Sequence, residues 1–153
     1  MLRDRFFGAA MVAAPLFWLV LLATGNQSPD LAWPLRSPAQ FLLLCVAYPV
    51  LEELAFRGFL QGLLRQTAWG ARAIGRGSSG ATNIISGANV VTSLVFALCH
   101  LWRHAPLWAG LTFFPSLIFG FFRDRTGSVI PPIILHVFYN AGYFWLFGSA
   151  QGT

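Results

Sequence analysis

Two adjacent carboxylates, followed four residues on by a guanidinium, stand in the middle of a long apolar segment as Glu52-Glu53-Leu54-Ala55-Phe56-Arg57. One charge held at mid-membrane depth costs about 2.5–3.5 kcal/mol on insertion scales, which makes an intramembrane charge a candidate functional site. On a helix, Glu53 precedes Arg57 by four residues, the favourable order for an ion pair. Glu52 lies about 100° further round, outside that pairing geometry, and is the carboxylate available to chemistry. Two more pairs repeat the spacing of four, Phe96 with His100 and His136 with Asn140, so each pair shares a helical face. A carboxylate and an imidazole together can deprotonate water. A second imidazole and a carboxamide can stabilise the oxyanion that forms on an attacked carbonyl. Glu52, His100, His136 and Asn140 thus compose a set able to hydrolyse an amide without a covalent intermediate.

The elements that must position this set are membrane spans. The chain of 153 residues is 56% hydrophobic, 16% aromatic and only 10% charged, a balance outside the range of soluble domains. The fold expected is all-α, a polytopic helical membrane bundle of about five spans: Phe6–Thr24, Ala39–Leu64 with the two acids, Gly87–Trp102 with Phe96 and His100, Pro106–Phe122, and Ser128–Phe147 with His136 and Asn140. Each approaches the roughly 20 residues that a bilayer core demands. The first run follows Arg3 and Arg5 and is read as an uncleaved helix, although a basic start also fits a signal peptide. Gly25–Pro38 and Arg65–Gly80 have loop composition. Pro49, one turn before Glu52, removes a helical donor and would free a backbone carbonyl near the acids. Gly58, Gly62, Gly110 and Gly120 are read as points of close helix approach. No internal repeat is present, and residues 1–153 read as one domain with its core at 39–148.

All ten basic residues are Arg, dispersed between apolar runs, which excludes the clustered basic face of a nucleic-acid binder. With five spans and a cytoplasmic N-terminus, Arg3, Arg5, Arg65, Arg72, Arg76, Arg123 and Arg125 lie inside, against Arg36 and Arg103 outside, as the positive-inside rule requires. At a helical rise of about 1.5 Å per residue, Glu52 and His100 fall roughly 20 Å from the cytoplasmic ends of their helices, Asn140 slightly less and His136 about 13 Å. The polar groups therefore share one layer, leaning toward the outer side. Cys45 and Cys99 have no metal-ligand spacing and read as small core residues. His104, beside Arg103, reads as a surface residue. Arg-only basic usage with many Gly and Ala points to a GC-rich bacterial genome, hence to the inner membrane.

Glu52-Glu53-x-x-x-Arg57, Phe96-x-x-x-His100 and His136-x-x-x-Asn140, in that order and each in its own apolar segment, resemble the three motifs of the CPBP family of intramembrane proteases. This is the Abi or CAAX-protease family, which includes the type II CAAX prenyl endopeptidases. The resemblance covers Pro49 to Asn140. It implies a metal-free glutamic protease in which Glu52 and His100 activate water, His136 and Asn140 stabilise the oxyanion, Glu53 pairs with Arg57, and Phe96 packs beside the site. Prenyl endopeptidases have about three more spans than this chain. The chain is most similar to short bacterial members associated with C-terminal sorting tags, the JDVT-CTERM type. The substrate implied is a membrane-anchored protein or peptide tail, such as a C-terminal sorting signal.

Two other readings use the same residues. Glu52, His100 and His136 would form a workable zinc shell, although no His-Glu-x-x-His helix is present. A non-catalytic membrane protein, either a bacteriocin-immunity or binding scaffold or a small transporter, would use the polar cluster without hydrolysis. Such a scaffold tolerates Glu52→Gln; a hydrolase does not.

Overall fold

The computed structural model describes residues 4–25, 29–74 and 85–148. These residues are predominantly helical, as hydrocarbon demands of backbone that has no water to pair with. In chain order they form α1 (Arg5–Ala23), α2 (Trp33–Arg36), α3 (Pro38–Leu64), the short strands β1 (Ala73–Ile74) and β2 (Ile85–Ser86), α4 (Gly87–His100), α5 (Pro106–Leu111), α6 (Phe113–Thr126) and α7 (Ile130–Phe147). Three of these helices, α1, α3 and α7, of 19, 27 and 18 residues, are long and apolar enough to cross a membrane, each holding an 18-residue stretch with a mean hydropathy of 2.2, 1.5 and 1.2 respectively. Helix α4 is apolar but has 14 residues, about 21 Å of rise against a hydrocarbon core of about 30 Å. Large apolar side chains such as Leu16, Phe59 and Leu98 are exposed, which suits contact with lipid.

The single fourth span expected at Pro106–Phe122 is instead two helices, broken at Thr112. Pro115 has no N–H to give the Leu111 carbonyl, so the ladder lapses there. It resumes when the Ser116 N–H bonds the Thr112 carbonyl at 3.1 Å. The expected loop Gly25–Pro38 contains the helical turn α2. The expected loop Arg65–Gly80 contributes β1, whose Ala73 and Ile74 pair antiparallel with Ser86 and Ile85. The readings of Arg3 and Arg76 as cytoplasmic charges, and of residues 26–28 and 75–80 as loop, fall outside the described residues.

The chain divides into two compact units, with boundaries inside α3 and α7. The first unit is Met1–Leu51 with Ile134–Thr153. There α1 and α7 meet through Trp18, whose ring lies 5.4 Å from that of Phe138. A Cβ on Gly142 would come within 2.1 Å of that indole, so glycine makes room for it. Tyr139 donates its hydroxyl to the Ala10 carbonyl at 2.7 Å. Trp33, Phe41 and Trp145 form an edge-to-face chain. Cys45 is buried in this unit as expected, whereas Cys99, in the other unit, is exposed on α4.

The second unit is Glu52–Ile133. Its centre is the contact of α4 with α6. Asn89, wholly buried, donates to the Leu117 carbonyl at 3.0 Å and lies where a Cβ on Gly120 would fall, 1.8 Å from its Oδ1. Gly120 is thus a close-approach point as expected; Gly110 has nothing within 4 Å. Asp124 gathers one end of the unit: it accepts from Gln61 Nε2 and Arg65 Nη1 at 2.8 Å each, and from the Ser86 N–H at 3.2 Å. Ser86 caps α4 by accepting from the Asn89 N–H at 3.0 Å, the preferred chemistry for a helix start. Gly127 closes α6 in the left-handed conformation at φ 69°, where glycine has no Cβ penalty.

Candidate active site

The second unit holds the acids and the first histidine. Glu53 and Arg57 are fully buried, with Arg57 Nε 3.2 Å from Glu53 Oε2. Arg57 also donates through Nη2 to the carbonyl and hydroxyl of Ser116 at 2.8 and 2.6 Å. Its guanidinium carbon lies 5.0 Å from the centre of the Phe96 ring and 5.7 Å from that of Phe119, within the range of a cation–π contact. Arg57's own carbonyl accepts from Arg123 Nε at 3.1 Å. Its contacts come from Glu53 on α3, Phe96 on α4, and Ser116 and Phe119 on α6, so the pair expected from the spacing of four links three helices.

Glu52 differs from its neighbour. It is partly exposed where Glu53 is sealed. A π turn over Leu54–Leu60 begins directly after the acids, and the Gln61 N–H reaches back to the Phe56 carbonyl. Such turns recur at functional sites.

Phe96 is buried at the middle of a stack. Phe56 meets it edge-on at 5.0 Å, and the His100 ring lies 4.4 Å beyond. His100 Nδ1 is 2.8 Å from the Phe96 carbonyl. A carbonyl only accepts, so Nδ1 carries the proton and Nε2 of the neutral ring presents a lone pair. His104 is exposed, as expected, yet it stacks on His100 at 5.8 Å and 19°, a contact that its place in a polar loop did not announce. Its pKa is pushed below the ordinary value by the partial desolvation of its ring first, then by His100 and Arg103.

The first unit holds the second histidine and the carboxamide, one turn apart on α7. His136 is 6% exposed. Asn140 is gripped at two points by α3: its Nδ2 donates to the Leu44 carbonyl at 3.1 Å, and its own carbonyl accepts from Cys45 Sγ at 3.6 Å. Within either unit, among the described residues, no three His, Cys, Asp or Glu side chains gather closely enough to hold an ion.

Several buried polar residues were not singled out in the sequence. Gln61 extends the Glu53–Arg57 stripe by four residues and donates to the Gly120 carbonyl at 3.0 Å and to Asp124. Asn89 and Ser93, hydrogen-bonded at 3.1 Å, lie on the α4 face that carries Phe96 and His100, at offsets that recur once per turn. Those offsets were the available signal. Ser116 had none, because its role is to receive Arg57.

A family model described as type II CAAX prenyl endopeptidase Rce1-like matches residues 34–142, a stretch that contains Glu52, Glu53, Arg57, Phe96, His100, His136 and Asn140. No curated protein and no solved structure matches the chain. With its apolar helices, the matched stretch places an integral membrane protein in a protease family whose substrates are membrane-anchored proteins. The chain belongs to the Rce1-like family of type II CAAX prenyl endopeptidases.

Proposed function

We propose that residues 1–153 act as a single intramembrane endopeptidase domain of the glutamic type, resident in a bacterial inner membrane. Its substrate is the membrane-anchored tail of an exported protein, with a C-terminal sorting signal as the cleaved segment. The Glu52 carboxylate, assisted by His100 Nε2, takes a proton from water as the water oxygen bonds to the scissile carbonyl carbon. His136 and the Asn140 carboxamide meet the negative charge that develops on the carbonyl oxygen. When the tetrahedral species collapses the C–N bond breaks, and the proton passes from the acid–base pair to the departing amine.

The observation that carries this reading is the division of labour between neighbouring carboxylates. Glu53 is wholly buried against Arg57 while Glu52 remains accessible. A structural ion pair needs only one acid. The Nδ1 bond of His100 supports the same reading, because it leaves Nε2 as the basic nitrogen.

The test is cleavage of a co-expressed membrane-anchored protein that ends in a sorting tail, with wild type compared against Glu52→Gln and His100→Ala at equal expression. Trimming by wild type alone supports the glutamate mechanism. Trimming by the Glu52→Gln variant at the wild-type rate overturns it and leaves a binding scaffold. A chelator added to the same assay reads whether an ion on Glu52, His100 and His136 contributes.

A further inference from the structure

The first π turn of α3, Leu43–Ala47, lies in the first unit and leads into Pro49. Tyr48 sends its N–H five residues back to the Leu43 carbonyl. In that register the Leu44 carbonyl would receive the N–H of residue 49, and Pro49 has none. A carbonyl so deprived within hydrocarbon must find a partner from a neighbouring helix. It finds Asn140, whose Nδ2 donates to it at 3.1 Å.

We infer that Pro49 is a positioning residue for Asn140. By withholding a backbone N–H it keeps the Leu44 carbonyl open as an acceptor, and that acceptor fixes the Asn140 carboxamide. A carboxamide nitrogen has two hydrogens. One is spent on Leu44, which sets the plane of the group, and the second is the hydrogen that the proposed reaction uses for the oxyanion. The bond from Cys45 Sγ to the Asn140 carbonyl at 3.6 Å pins the same residue's backbone from the adjacent position on α3. The kinetic part of the inference rests on the protease reading; the hydrogen bond itself does not.

The experiment combines Pro49→Ala and Asn140→Ala in the full-length protein in detergent, singly and together. The first readout is kcat and KM on a membrane-anchored tail. Alanine at 49 supplies the missing N–H, so Pro49→Ala alone should lower kcat by about tenfold, the worth of one hydrogen bond, with KM unchanged. In the Asn140→Ala background the same change should cost nothing further. If Pro49→Ala slows both backgrounds by the same factor, or slows neither, the inference is overturned, since a mere kink acts without Asn140. The second readout is the side-chain amide signal of Asn140 in protein labelled with nitrogen-15 at asparagine. It should shift in Pro49→Ala, and its hydrogens should exchange about tenfold faster. An unmoved signal overturns the inference. A wild type that cleaves nothing sinks the protease reading, and the amide signal then judges the Pro49–Asn140 link by itself.

Discussion

Arg57 Nε stands 3.2 Å from Glu53 Oε2 with neither side chain exposed to any degree. Burying two charges carries a desolvation cost that their mutual attraction must offset; Arg57 Nη2 adds two hydrogen bonds to Ser116, and the Phe96 and Phe119 rings lie beside the guanidinium. Removing one partner strands the other. Arg57→Met should therefore destabilise the protein by about 3–5 kcal/mol, and Glu53→Gln with Arg57→Met should recover part of the loss. Denaturant unfolding in detergent compares the variants; equal stability of Arg57→Met and wild type would refute the structural role.

Gly120 is the point where α6 admits Asn89. A Cβ there would sit 1.8 Å from Asn89 Oδ1, displacing a side chain whose amide is bonded to the Leu117 carbonyl. Overpacking of a filled contact costs about 1–3 kcal/mol. Gly120→Ala should lower the unfolding midpoint accordingly, while Gly110→Ala, with nothing within 4 Å, should leave it unchanged or raise it.

His104 supplies a dependence on pH. Its pKa in the folded protein lies below its ordinary value, first through partial desolvation and then through repulsion from His100 when that ring is protonated and from Arg103. The unfolded chain then binds the proton more readily than the folded one. Its contribution to stability is intact above the ordinary histidine range and is lost as pH falls through that range toward the depressed folded value. Unfolding midpoints measured from neutral to mildly acid pH should fall less steeply for His104→Gln than for wild type.

The helical pairs of the candidate site were legible because they are rare residues at fixed offsets. Glu53 and Arg57, Phe96 and His100, and His136 and Asn140 each stand four apart in apolar runs, and four residues is a helix turn. The spans α1, α3 and α7 were legible for the same reason that they exist, a predominantly apolar run long enough to cross the bilayer. The break at Thr112 was not, since Pro115 could have kinked a continuous helix, and the outcome depends on where the Ser116 N–H finds its acceptor. The π turns leave no trace in the pattern of side chains; only Pro49 hinted that a carbonyl would be set free, and nothing in its neighbourhood named Asn140 as the group that takes it. Asn89 and Gln61 bond to the carbonyls of Leu117 and Gly120, which every residue possesses and no sequence advertises.

The proposed reaction asks of Glu52 what it does not ask of Glu53. The most direct test is the cleavage rate of purified Glu52→Gln on a membrane-anchored tail, set beside wild type, with the folded fraction of each measured by its unfolding transition. The account predicts that Glu52→Gln folds as wild type does and cleaves at least about a hundredfold more slowly, the loss expected of a missing general base. Cleavage by a folded Glu52→Gln protein at the wild-type rate would contradict it.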